Sequence, residues 1–166
     1  MSEPPRPSPD WPRRITDGDA GTEAVGAALA AALRPGDLIA LHGELGAGKT
    51  RLVRGLAGGL GVPPEAVRSP TFVLHHVHRG GRVTLHHIDL YRLGDGADLR
   101  GLDLEWLLDE GAVAIEWAEL ADLSRLDPVH LTLEERGTQR REIAIDPAAP
   151  TRLLEAFAAA ARSRPG

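Results

Sequence analysis

The residues that can do chemistry are gathered around one short stretch, Gly43-Glu44-Leu45-Gly46-Ala47-Gly48-Lys49-Thr50. Its pattern is G-x-x-x-x-G-K-[ST], the phosphate-binding loop. Glycines let backbone N–H groups curl around phosphate oxygens without a Cβ in the way. A helix starting at the end of the loop adds its partial positive charge. Lys49 supplies a point charge for the β- and γ-phosphates, and the Thr50 hydroxyl is a ligand for Mg²⁺. Such a loop needs a carboxylate for its metal at the C-terminal end of a buried strand. Asp89 closes Val83-Thr84-Leu85-His86-His87-Ile88-Asp89 and Glu116 closes Ala112-Val113-Ala114-Ile115-Glu116, so both are candidates. Which of the two touches metal directly is open at this level. One of them can hold Mg²⁺ while the other orients the attacking water. Ser69-Pro70-Thr71 lies between the loop's helix and the next strand, where nucleotide switches carry a γ-phosphate-sensing hydroxyl.

These groups need a scaffold of strand, loop and helix, and the pattern supplies it. Asp37–His42 reads as a short buried strand before the loop. Lys49–Leu60 reads as a helix with Leu52, Val53, Leu56 and Leu60 on one face. Upstream, Thr16–Asp19 offers helix-capping chemistry. Val25, Leu29 and Leu33 follow at helical spacing until Arg34-Pro35-Gly36 ends the run. Phe72–His78 and Val83–Leu90 read as strands joined through Arg79-Gly80-Gly81-Arg82. Gly94–Gly101 is a polar loop, Leu102–Asp109 a short helix and Ala112–Trp117 a buried strand. Val129–Glu134 and Arg141–Asp146 form a second hairpin around Gly137, and Thr151–Ser163 a closing helix. Residues 1–14 hold five of the thirteen prolines and read as a flexible tail, leaving residues 15–166 as one domain. The expected fold is an α/β sandwich of the P-loop NTPase type with a mixed, mainly parallel central sheet.

Composition narrows the function. A length of 166 residues suits a single core, and the absence of cysteine excludes disulfides, thiolate metal sites and a thiol nucleophile. A net charge of −5 argues against broad nucleic-acid binding. No apolar run is long enough for a membrane helix and no secretory leader is legible at the start, so a cytoplasmic protein is expected. Five of the seven histidines fall at 75, 76, 78, 86 and 87. Strand alternation splits His75 from His76 and His86 from His87, so half-buried or solvated strand residues are expected rather than a metal cluster. His87 stands apart because it precedes Asp89 by two residues. Phe72, Tyr91 and Trp117 are expected to shape the cleft or a partner surface, and Trp106 to pack in the core.

Four segments in order carry a family resemblance: Gly43–Thr50, Ser69-Pro70-Thr71-Phe72, His87-Ile88-Asp89-Leu90-Tyr91-Arg92-Leu93 and Glu116-Trp117. Together they resemble the TsaE (YjeE) family of bacterial ATPases, over about Thr22 to Arg140. The resemblance implies an ATP- and Mg²⁺-dependent ATPase, bound in turn to ATP and ADP and weak without partners. It would drive turnover of a TsaD–TsaB-like heterodimer that makes threonylcarbamoyladenosine in tRNA, touching tRNA only through that complex. It also implies Lys49 on phosphate, Thr50 on Mg²⁺, Glu116 as the second metal-associated carboxylate, Asp89 as the Walker-B-like acid and Thr71 as the switch-like threonine. Arg140 matches a late nucleotide-contacting position, and the Asp19–Thr22 region would reach the base. His75-His76-Val77-His78 stands where the family carries a segment ending in Glu-Tyr.

Other P-loop activities compete with this one. A small-molecule kinase uses the same loop and a strand-end Asp, but no clear arginine-rich lid stands out. A nucleotide-dependent adaptor without hydrolysis shades into the partner-dependent ATPase. A GTPase is excluded, since the chain has no Asn and only one Lys, and the N-K-x-D guanine motif needs more.

Overall fold

Leu38–His42 is buried along its whole length, and so is Ala112–Glu116. A strand apolar on both faces must lie inside a sheet covered on both sides. In the computed structural model, which describes residues 5–63, 66–67, 74–93, 99 and 101–160, these two strands form the centre of a seven-stranded sheet. The elements run β1 (Arg13–Asp17), α1 (Gly18–Ala30), β2 (Leu38–His42), α2 (Lys49–Gly59), β3 (His75–His78) and β4 (Leu85–Asp89). They continue with α3 (Leu104–Glu110), β5 (Ala112–Glu116), β6 (Val129–Glu135), β7 (Arg140–Ile145) and α4 (Thr151–Ala160). Strand order is β1-β7-β6-β2-β5-β4-β3. β6, β2, β5 and β4 are parallel neighbours, while β7, β1 and β3 pair antiparallel. The expected mixed, mainly parallel sandwich is the fold observed.

Side chains alternate between two cores. One face carries Ile39, Leu41, Ala114, Leu131 and Ile143 against α1, α2 and α4, with Leu29, Leu52, Leu56 and Phe157 at its centre. The other carries Leu38, Ala40, Ile88, Val113 and Ile115 against α3 and Leu123. α1 and α2 touch through glycines: a Cβ on Gly26 would lie 2.8 Å from the Leu56 nitrogen, and one on Gly55 would lie 2.8 Å from the Glu23 Cα. This close crossing fixes the helix that begins with Lys49.

The structure departs from the sequence expectation at several points. Arg13 and Arg14, placed in the tail, open β1. β1 shows no apolar-in pattern, because Ile15 is exposed and Thr16 is the buried residue. It is an edge strand held by its pairing with β7, from Arg13–Ala144 to Asp17–Arg140. Asp17 sits at the N-cap of α1 with no side-chain cap bond. α1 closes at Ala30, and Leu33 follows in a turn whose carbonyls accept from the Arg82 guanidinium, at 3.0 Å for the Leu33 oxygen. Trp106, expected in the core, is 56% exposed in the first turn of α3, a helix whose buried residues are Leu104 and Leu107. The expected segments 68–73 and 94–98, and the end of the closing helix beyond residue 160, lie outside the described residues. Among the described residues, no helix is long and apolar enough to cross a membrane.

Candidate nucleotide site

The loop from β2 to α2 has the backbone its glycines predict. Gly43 has φ +156° and Gly48 φ +104°. At Gly43 a Cβ would also meet the Leu133 carbonyl oxygen at 2.6 Å, so neither conformation nor space admits another residue. Gly48 caps α2, and its carbonyl accepts from the Leu52 N–H at 3.0 Å. The first N–H groups of a helix have no acceptor within it, so the start of α2 faces the loop's concave side as a set of donors.

Lys49, the first residue of α2, is only 4% exposed. Its ammonium donates to the Gly43 carbonyl and, at 3.0 Å, to the Glu44 carbonyl, and it lies 4.0 Å from the centre of the Trp117 ring. Burial pulls its pKa down, while Glu116, Glu119, Asp89 and Glu44 pull the other way. The parallel register of β4 and β5 sets Asp89 beside Glu116. Glu116 is 3% exposed, and both its oxygens are engaged: Oε1 accepts from the Thr50 hydroxyl at 2.8 Å, and Oε2 lies 2.5 Å from His87 Nε2. Asp89 is half-buried and accepts from the Tyr91 N–H at 2.9 Å. Tyr91 and Trp117 pack ring against ring at 4.9 Å, and Trp117 has φ +57°. A left-handed tryptophan is strained, and its indole lies over the Lys49 ammonium.

A cavity of about 420 Å³ opens here, lined by Leu45–Arg51, Asp19, Asp89, Tyr91, Glu116, Trp117 and Arg141. A second hollow continues from it past Asp19, Gly48 and Arg141 to Thr22, Thr138 and Gln139. Of the sequence candidates, Leu45, Gly46, Ala47, Gly48, Lys49, Thr50, Asp19, Asp89 and Glu116 therefore meet at one cavity, and Thr22 borders its extension. Gly43 lies beneath Lys49, and Glu44 faces a neighbouring groove with Leu133 and Arg136. Thr71 lies outside the described residues. Arg140 is not at the cavity: its guanidinium pairs with Asp17 at 3.2 Å on the surface. Arg141 takes that place, donating to the Gly46 carbonyl at 3.2 Å. Neighbours on a strand point to opposite faces, so a one-residue slip in β7 is the whole difference.

One feature has no reading in the sequence. His42, just before Gly43, bridges Glu119 (Nδ1 to Oε2, 3.0 Å) and His130 (Nε2 to Nδ1, 2.8 Å). Burial pushes the Glu119 carboxyl up, but the His42 bond, a backbone N–H and the charges of His42 and Lys49 outweigh it and leave the pKa low. His78, His86 and His87 are buried, where half-buried or solvated strand residues were expected, and His75 and His76 are half-buried as expected. His86 accepts a place in a pair with His75 at 2.9 Å, and burial pushes His78 down to about 4.

The oxygen set at the loop suits magnesium. It comprises one hydroxyl and two adjacent carboxylates, with phosphate and water to complete an octahedron. Among the described residues no group of three or more His, Asp or Glu side chains is arranged to hold a metal alone.

Comparison with known proteins points one way. The family model described as threonylcarbamoyl adenosine biosynthesis protein TsaE matches residues 16–143. The chain is 51% identical over 98 residues to the tRNA threonylcarbamoyladenosine biosynthesis protein TsaE of Streptomyces coelicolor, covering 57% of this chain and 66%, just under two thirds, of that one. The Bacillus subtilis protein of the same name is 37% identical, covering 74% of this chain and 77% of its own length. Among solved structures, the crystal structure of Bacillus subtilis YdiB superposes with a TM-score of 0.69 at 27% identity, over 92% of this chain and 95% of that one.

Proposed function

The chain belongs to the TsaE family of tRNA threonylcarbamoyladenosine biosynthesis, and we propose that within that process it binds MgATP at the β2–α2 loop and hydrolyses it to ADP and phosphate. The observation that carries this reading is the joining of Thr50 to Glu116, beside Asp89, at the start of the helix that also holds Lys49. The loop and helix N–H groups bind the phosphates, and Lys49 exchanges its hold on the Gly43 and Glu44 carbonyls for phosphate oxygens. Thr50, Glu116 and Asp89 would hold Mg²⁺, which when bound neutralises charge that develops on the phosphates. Glu116, with both oxygens committed, serves the metal side, and Asp89 at the cavity wall orients water. Trp117 and Tyr91 exclude bulk solvent from the phosphate end. Arg141 adds a fixed positive charge.

We propose further that turnover is coupled to a TsaD–TsaB-like heterodimer, with tRNA reached through that complex. Leu45 (72% exposed) and Tyr91 (52%) stand at the cavity's rim, where a partner would bury apolar surface that water now covers.

The test is ADP release by the purified protein, alone and with the heterodimer, for wild type and Lys49→Ala. The expected result is slow release without any acceptor molecule, acceleration by the pair, and loss of both in Lys49→Ala with its fold intact. Release that requires a small-molecule acceptor would make the protein a kinase, and wild-type turnover in Lys49→Ala would overturn the site.

A further inference from the structure

We propose that His87 is a positioning residue, holding the Glu116 carboxylate in the orientation in which it serves the metal side of the site. The inference rests on the reading of Glu116 given above. His87 and Asp89 lie two apart on β4 and share a face. Across the parallel register Asp89 stands beside Glu116, and His87 beside Ala114, whose small side chain leaves room for the imidazole to lean along β5. The ring is fully buried, and its Nε2 lies 2.5 Å from Glu116 Oε2.

Glu116 is held from both sides: Oε1 accepts from the Thr50 hydroxyl, and Oε2 lies within hydrogen-bond reach of His87 Nε2. Nδ1 finds no partner among the described residues. A buried imidazole kept only for packing would be expected to satisfy both nitrogens or to be replaced by an apolar residue, because an unpaired buried nitrogen costs stability. Among the described residues the one polar contact of the ring is the Glu116 carboxylate. The His78 ring lies beside it, centroid to centroid 6.2 Å. The result is a chain Thr50–Glu116–His87 in which each member fixes the next. A carboxylate so pinned presents the same face to a cation at every turnover, as partners of metal-binding carboxylates do elsewhere.

Three substitutions separate this role from packing. Gln places an amide N–H near the position of Nε2; Leu fills similar volume with no donor; Asn has the donor but not the reach. The measurements are Mn²⁺ affinity in the presence of ADP, by electron paramagnetic resonance, and ADP affinity without metal, by calorimetry. His87→Leu and His87→Asn should weaken Mn²⁺ binding by about 10-fold or more, leave metal-free ADP affinity within about twofold, and His87→Gln should recover most of the loss. Equal Mn²⁺ affinity in all four proteins, or no recovery in His87→Gln, would overturn the proposal. If His87→Leu does not fold, the His87→Asn and His87→Gln pair decides the matter alone. Glu116→Gln keeps the two failures apart. If it loses Mn²⁺ binding while the His87 variants do not, only the positioning role falls; if it binds Mn²⁺ as wild type does, the reading of Glu116 falls with it.

Discussion

Replacing Gly55 by alanine tests how the site is held. In an ordinary helix the change is favourable by about 1 kcal/mol, since alanine has the higher helix propensity. Gly55 faces the backbone of α1: the new Cβ would overlap the Glu23 carbonyl oxygen and come within 2.7 Å of the Glu23 carbonyl carbon and 2.8 Å of its Cα. These atoms belong to a helix backbone and cannot rotate aside, so α2 must move as a body. Overpacking of this kind costs about 1–3 kcal/mol or more. With backbone as the obstacle the upper part of that range applies, and the net effect after the propensity gain is a loss of about 1–2 kcal/mol. For a chain of this size that lowers the thermal midpoint by roughly 2–8 °C. Lys49 and Thr50 begin the same helix, so ATP affinity should fall along with stability even though no phosphate contact has been removed. Thermal unfolding by circular dichroism, with calorimetric ATP titration, measures both. Gly101, where a Cβ would meet nothing within 4 Å, is the control, and its alanine variant should be within about 0.5 kcal/mol of wild type. A Gly55→Ala protein as stable as wild type or more so would show that the two helices do not cross as closely as described.

Two further outcomes follow from particular side chains. Arg141→Ala should weaken ATP binding about tenfold, the loss of one charge-assisted contact, whereas Arg140→Ala, whose guanidinium pairs with the exposed Asp17, should stay within about twofold; calorimetric affinities in the reverse order would make Arg140 the nucleotide contact. For His78, burial lowers the folded-state pKa to about 4 from an ordinary 6.5, so the unfolded chain takes up the proton first. Its contribution is complete above pH 6.5 and is lost as pH falls toward 4, by up to about 3 kcal/mol. Urea midpoints measured between pH 7.5 and 4.5 should fall less steeply for His78→Gln than for wild type, and parallel curves would refute the assignment.

Much of this site was legible because its chemistry is local. The loop from Gly43 to Thr50 declares itself by composition, and the flanking Asp37–His42 and Ala112–Trp117 segments declare themselves as buried strands by being apolar throughout. Asp89 and Glu116 could each be placed at a strand end, but their adjacency depends on β4 pairing with β5, a contact no periodicity encodes. β1 was hidden because it has no buried apolar stripe: it adheres to β7 through backbone hydrogen bonds, with Ile15 facing water. Arg140 and Arg141 look alike in the sequence, and only the face of β7 that each occupies distinguishes them. Trp106 misleads because a short helix buries one face only, and Leu104 and Leu107 occupy it, leaving the indole exposed. Alternation puts His86 and His87 on opposite faces, but their burial depends on partners from neighbouring strands, His75 for one and Glu116 for the other, which periodicity does not encode.

The single lysine gains a structural reason. The chain carries eighteen arginines and uses them for surface pairs, helix ends and the cavity wall. At position 49 the space is a tube of backbone closed by an indole: two loop carbonyls accept from the ammonium on one side, and the Trp117 ring lies 4.0 Å away on another. A guanidinium is a flat fork with five donors and needs a planar slot with matching acceptors. Here it would have to displace Trp117, whose left-handed backbone is fixed between Glu116 and the short helix at Ala118–Leu120. An ammonium needs only a point of contact, can trade carbonyl oxygens for phosphate oxygens by rotating its stem, and has a low enough charge radius to do so inside a ring of glycines. A composition that places arginine at every other basic position therefore meets, at this one position, a wall of backbone and tryptophan that admits the slimmer cation.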